Sequence, residues 1–198
     1  MWNNYYTWYG EAKFNMAKRS IVLLNLGGPD SLEAVQPFLN NLFKDPAIIG
    51  LPAIFRLPLA KFISIRRAPV ARGIYEHLGG RSPLLPFTEE QAGALGTALT
   101  DKDPAHTYKV FIAMRYWHPF SKETVSAVHA FDPDEVLLLP LYPQFSTATS
   151  NSSFVDWKKS AAKVGLVKPT YILCCYPVDK NWATAQSDLL HAQIDTLE

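Results

Sequence analysis

Ser20-Ile21-Val22-Leu23-Leu24-Asn25-Leu26-Gly27-Gly28-Pro29-Asp30 reads as a strand that runs into a turn. Residues 20–24 are nearly all apolar, the pattern of a strand covered on both faces of a parallel sheet. The paired glycines then permit a tight change of direction. Three further short apolar runs follow: 109–114 (KVFIAM), 135–139 (EVLLL) and 170–175 (TYILCC). Between them lie stretches of helical period. Residues 32–43 carry Val35, Phe38, Leu39 and Leu42 at helical spacing. Residues 89–99 follow a capping box made by Thr88 and Gln91, and 123–130, 155–164 and 182–197 complete the series. This alternation predicts an α/β domain with a parallel sheet covered by helices. Ligands of such sheets bind beyond the carboxyl ends of the strands, so the residues after each strand are where chemistry is sought.

The chain of 198 residues is 48% hydrophobic and 19% charged, enough for one domain with a core. Nineteen basic against 18 acidic residues leave a net charge of +1, which gives no electrostatic case for nucleic acid. Cys174 and Cys175 are adjacent. On a strand they would face opposite ways, a poor metal pair and a poor disulfide, so a reducing, cytoplasmic setting is expected. Residues 1–15 (MWNNYYTWYGEAKFN) lack the pattern of a signal peptide. The expectation is that 1–16 form a disordered extension and that translation starts at Met16. The apolar stretch 48–65 is broken by Arg56, Lys61, Pro52 and Pro58 and falls short of a membrane span. Three readings stay open: a kinked helix on the core, an apolar lip over a greasy ligand, or a segment lying on a membrane surface.

The strand ends are chemically rich. Gly27 and Gly28 make either a phosphate loop or a purely structural turn, and Pro29 removes a donor that phosphate would want. After the second long strand come Arg115, Tyr116, Trp117 and His118. Arginine pairs with carboxylates in a fork, aromatic rings stack on planar ligands, and histidine binds metal, moves protons or merely bonds locally. Pro140 and Pro143 stiffen a loop that carries Tyr142, Gln144 and Phe145, and the Ser/Thr-rich residues 146–153 suit the cap of a following helix. Arg66 and Arg67 are either a solvated face or positive charge beside an apolar wall. The second arrangement suits a flat hydrophobic ligand bearing carboxylates.

Four of these segments together resemble the ferrochelatase family: LNLGGPD at 24–30, RRAP at 66–69 with GGRSPL at 79–84, MRYWHPF at 114–120 and LYPQFS at 141–146. They stand in the family's order and spacing, over a stretch from about Ser20 to near the C-terminus. The resemblance is closer to the protoporphyrin-using branch. It implies a flavodoxin-like chelatase domain over 17–169, with 170–198 leading into a second, similar domain that is largely missing. It implies that Leu26, Leu42, Ile48, Arg67, Tyr75 and Ser82 line or rim a porphyrin cleft, Arg67 and Ser82 holding propionates. Arg115, Tyr116 and Tyr142 would form the inner wall where metal and macrocycle meet.

The reaction so implied inserts ferrous iron into protoporphyrin IX, with no external cofactor. The ring must be held distorted, two pyrrole protons must go to a base, and a partly dehydrated ion must be delivered. The family's principal histidine lies in a later FSAHxxP-type segment. None of His77, His106, His118, His129 and His191 lies in such a segment, so no metal ligand is expected within the chain. The alternatives are a non-catalytic porphyrin-binding module and an unrelated flavodoxin-like phosphate binder. The partners expected are protoporphyrin IX and ferrous iron, in the cytoplasm or peripheral to the inner membrane, with the oligomeric state open. Some family members hold a cysteine-bound iron–sulfur cluster. Where they place a ligand this chain has Thr147, so the purified protein should carry no stoichiometric iron and sulfide; an assay finding both would contradict this.

Overall fold

A computed structural model describes residues 16–196; the expected extension at 1–16 therefore lies almost wholly outside the described residues. Four parallel strands form one sheet in the order β2-β1-β3-β4: β1 (Lys18–Asn25), β2 (Thr107–Met114), β3 (Glu135–Pro140) and β4 (Thr170–Ile172). The six helices among the described residues are α1 (Val35–Phe43), α2 (Ala53–His77), α3 (Leu84–Lys102), α4 (Ser121–Phe131), α5 (Ser152–Val164) and α6 (Lys180–Ile194). A π-helical turn, Thr147–Asn151, leads into α5. The α/β class, the parallel sheet and its helical cover are as the sequence predicts. The order 2-1-3-4 is that of flavodoxin-like sheets, in which β1 and β3 flank the switch point.

The central strand explains the apolar run. Ser20 through Asn25 are all buried, because β1 pairs with a neighbour on each edge and is covered on each face. Val22 and Leu24 join Ala113, Val136 and Leu138 against Val125 and Val128 of α4 and Phe154 and Trp157 of α5. Each fully buried aliphatic side chain there stabilises the fold by about 1.5–3 kcal/mol. β3 buries only alternate residues, Val136, Leu138 and Pro140. A second apolar cluster joins α1 to α2 through Val35, Phe38, Leu39, Phe43, Ala60 and Ala68, and includes Tyr116.

Three elements depart from the sequence reading. The helix expected over 89–99 begins at Leu84, so Thr88 is no cap. Its hydroxyl donates to the Leu84 carbonyl (2.7 Å) and accepts from Asn25 Nδ2 (3.1 Å), which ties α3 to the end of β1. Proline at 83 and 86 suits a first helical turn, and that signal outranks the Thr88–Gln91 pattern. The strand expected over 170–175 stops at Ile172. Leu173 N–H still reaches the Leu138 carbonyl, and then the chain turns until Tyr176 N–H bonds Pro143. Cys174 and Cys175 thus lie past the strand, and the opposite-faces argument does not apply to them. Since β4 pairs with β3, the sheet also runs past the 169/170 boundary drawn from sequence.

The third departure is α2. Residues 53–77 form one helix that contains Pro58, Pro69 and the arginine pair at 66–67. Only Ala60, Ser64 and Ala68 are buried, one per turn, on the side facing α1. Ile54, Phe55, Phe62, Ile65 and Val70 are each more than half exposed. The helix therefore packs by a narrow stripe of small residues and presents the rest of its apolar side chains outward. No helix among the described residues is long and apolar enough to cross a membrane.

The Gly-Gly turn after β1 is closed by protein atoms. Gly27 has φ +86° and sits with its α-carbon against Met114 and Trp117. A Cβ on Gly28 would come within 2.5 Å of Ser82 Cβ. Ser82 N–H donates to the Pro29 carbonyl at 2.7 Å, so the chain entering α3 clamps the turn. Gly28→Ala is expected to lower stability by about 1–3 kcal/mol through overpacking, read as a lower urea midpoint at unchanged slope. Adding Ser82→Gly should restore part of the loss, and no recovery would place the strain elsewhere.

Candidate functional site

The carboxyl ends of β1, β2 and β3 lie side by side. Arg115 N–H donates to the Asn25 carbonyl, Tyr116 N–H to Leu26 and Leu141 N–H to Leu24, each at 2.9 Å. These backbone bonds place Leu26, Arg115, Tyr116 and Tyr142 on one edge of the sheet. Asn25 is buried beneath them, with Oδ1 accepting from Leu26 N–H at 2.8 Å.

A polar cluster centres on Asp45, in the turn after α1. The residue is 5% exposed. Its Oδ2 accepts from Arg115 Nη2 (2.7 Å), from the Tyr116 hydroxyl (2.9 Å) and from the Ser152 hydroxyl. Its Oδ1 accepts from Ala47 N–H at 2.8 Å. Arg115 Nε donates to Ser152 Oγ at 2.7 Å, and Nη1 lies 3.8 Å from Asp156. Burial alone would raise the Asp45 pKa. The bonds from Ser152 and Ala47, the Arg115 charge and the Tyr116 bond outweigh it, and the carboxyl titrates below its ordinary value. Tyr116 is fully buried, and burial together with the Asp45 charge pushes its phenol up to about 12. Tyr116 is therefore a neutral donor at physiological pH. Burial likewise raises Tyr142, whose hydroxyl has no hydrogen-bond partner among the described residues.

Around this cluster stand the other predicted residues. Leu26, Leu42 and Tyr75 pack in the apolar cluster that contains Tyr116. Arg67 is exposed on α2, its guanidinium 5.8 Å from the centre of the Phe43 ring. Ile48 is 38% exposed in the loop between α1 and α2. Ser82 lies against Gly28. Eight of the nine are thus tied, directly or through one neighbour, to the α1–α2 cluster, the Gly-Gly turn or the ends of β1 and β2. Tyr142 joins through its electrostatic contact with Tyr116 and Arg115. His118 takes the local option: its Nδ1 lies 2.9 Å from Glu123, both side chains about half exposed. Among the described residues no group of three or more His, Cys, Asp and Glu side chains is placed to hold a metal ion.

The ferrochelatase family model matches residues 18–198. The chain belongs to the ferrochelatase family. It is 48% identical over 181 residues to a ferrochelatase of Pelagibacter ubique, covering 91% of this chain and 53% of that protein. It is 53% identical over 173 residues to one of Phenylobacterium zucineum, covering 87% of this chain and 50% of that one. A Wolbachia ferrochelatase is 51% identical, with 87% and 55% covered. The chain thus spans about half the length of the ferrochelatases it matches.

Sequence reasoning missed Asp45, Ser152, Asn25 and Thr88. Asp45 precedes Pro46 just after a helix, and its Oδ1 contact to Ala47 is an Asx turn. That much was readable; the partnership with Arg115, 70 residues away, was not. Ser152 falls in the stretch singled out for helix capping. Ser146 performs that cap, accepting from Ala148 N–H, and the π-helical turn precedes Ser152 at the start of α5.

The lowered Asp45 pKa links the cluster to pH. The ionised carboxylate stabilises the fold fully above its ordinary value of 3.8, and that stabilisation is lost as pH falls from there through the folded value. Urea stability of the wild type should therefore decline on acidification below about pH 4. Asp45→Asn should start lower at neutral pH and show a shallower decline over that window. Parallel curves for the two proteins would remove Asp45 as the linked group.

Proposed function

We propose that this chain forms the porphyrin-holding wall of a ferrochelatase, which inserts ferrous iron into protoporphyrin IX as the metal-loading step of haem formation. The observation that carries the reading is the convergence of eight predicted cleft residues and Tyr142 on the carboxyl edge of the sheet and the neighbouring α1–α2 cluster. An apolar surface from Leu26, Leu42, Ile48 and α2 suits a flat macrocycle, and burial of such surface is worth roughly 25 cal/mol per Å². Arg67 and Ser82 stand at its rim for the propionates, where guanidinium recognises carboxylate in a fork. The family names of the relatives support the substrate class.

In this reading the chain holds and orients the ring, and the base that takes the pyrrole protons is not among its five histidines. His118 is engaged with Glu123. His106 Nδ1 accepts from Ala17 N–H ahead of β2, and His77, His129 and His191 lie on α2, α4 and α6. Tyr116, neutral and donating, is no base either. The second reading, a porphyrin-binding module without insertion, shares every contact and differs only in turnover.

The test gives the purified chain protoporphyrin and zinc and follows porphyrin fluorescence. Saturable quenching without the zinc-porphyrin spectrum is the expected result. Arg67→Ala should weaken the quenching by roughly tenfold, the worth of about one charge-assisted contact. Absence of quenching would remove the porphyrin reading. Catalysed zinc insertion would show that residues of this chain suffice for proton removal.

A further inference from the structure

Asp45 is a single buried carboxylate on which three elements meet. Arg115 and Tyr116 come from the end of β2, Ser152 from the start of α5, and Asp45 itself from the turn after α1. The bonds have a consistent direction. Ser152 Oγ accepts from Arg115 Nε and donates its one proton to Asp45 Oδ2. The Tyr116 hydroxyl donates to the same oxygen, and Ala47 N–H fills Oδ1. The carboxylate side chain is 3% exposed, while Arg115 remains 20% exposed. The guanidinium is therefore held from beneath, with part of its surface left toward solvent at the sheet edge.

We infer that Asp45 is a positioning residue of the porphyrin wall, fixing the guanidinium of Arg115 at the carboxyl edge of the sheet through a closed Arg115–Ser152–Asp45 ring of hydrogen bonds. This rests on the porphyrin reading above for its ligand, though not for its geometry. Arginine has a long side chain with several rotatable bonds, and an unrestrained one would pay that entropy on meeting a ligand. The two bonds of Arg115, from Nη2 to Asp45 and from Nε to Ser152, take that cost during folding. The paired carboxylate also cancels the guanidinium charge, so the wall presents directed N–H donors without an uncompensated cation. Tyr116 has no exposed surface with which to meet a ligand. Its hydroxyl serves as the third strut, and it acts through the carboxylate.

Two readouts separate this role from a general loss of stability. In the free chain labelled with ¹⁵N-arginine, Arg115 Nε–H should give a slowly exchanging signal, assigned by its absence in Arg115→Lys. Asp45→Asn, nearly the same shape without the charge, should move that signal to the position and exchange rate of exposed arginines while the protein still melts cooperatively. Protoporphyrin quenching should weaken by at least roughly tenfold in Asp45→Asn, and by no more in the Asp45→Asn, Arg115→Ala pair than in Arg115→Ala alone. If Asp45→Asn fails to fold, Ser152→Ala opens the ring while keeping the charge pair, and should show the same faster Nε–H exchange. An unchanged Arg115 signal in Asp45→Asn or Ser152→Ala would overturn the inference, as would independent, additive losses in the double variant. Should the wild type not bind porphyrin at all, the functional reading falls, and the NMR comparison by itself upholds or overturns the hold of Asp45 on Arg115.

Discussion

The sheet and the site at its edge are arranged about β1, a strand with hydrogen-bonded neighbours on both edges and cover on both faces. A strand so placed has no exposed backbone to satisfy with water, so each polar group must find a protein partner. That constraint explains the register with β2 and β3. It also explains Asn25, whose side chain closes the strand end toward Leu26 and Thr88. The chain leaves the sheet through Gly27 and Gly28 because a side chain at either position would meet β2 or Ser82. Glycine here serves close approach of backbone to protein, which accounts for the turn without a phosphate.

The same economy of burial shapes the site. One carboxylate gathers the polar heads of three residues, Arg115, Tyr116 and Ser152. A buried ion pair of this kind contributes little net stability compared with an apolar replacement, and its loss on one side is costly. Its value lies in fixing geometry. The aliphatic side of the site comes from α1 and α2, the polar side from strand ends, and the two meet at Tyr116, which belongs to the apolar cluster through its ring and to the polar cluster through its hydroxyl.

Much of the fold was legible because burial leaves a direct imprint on sequence. The apolar runs at 20–24, 109–114 and 135–139 fall inside β1, β2 and β3, and the aromatic and basic residues after them fall at one sheet edge. What was not legible involved competition between local signals or distance in sequence. Thr88 and Gln91 mimic a cap, yet Pro83 and Pro86 start the helix earlier, and Thr88 is needed by Asn25 63 residues away. The run 170–175 looks like a full strand, yet only Ile172 and its two predecessors pair with β3 before the chain turns and Tyr176 N–H bonds Pro143. Pro58 reads as a break in the apolar stretch 48–65, whereas a single helix carries both it and Pro69. Asp45 is a turn residue, and nothing local announces its second task.

Those two prolines constrain α2 in a way that its composition does not. Pro58 and Pro69 are 11 residues apart, close to three full turns, so they sit on one side of the helix, and both are exposed. The side that packs on α1, with Ala60, Ser64 and Ala68, points well away from them. Each proline removes an N–H and favours a bend of the axis away from itself, so two bends at this spacing share nearly one plane and add as an arc. The arc depends on counting. One residue inserted between them would turn the second bend by about 100° relative to the first, converting an arc into a screw and swinging Tyr75 off the site. The outward-facing positions between the prolines are thus free to vary in chemistry, while the spacing that also sets the Ala60, Ser64 and Ala68 stripe is not free to vary in length.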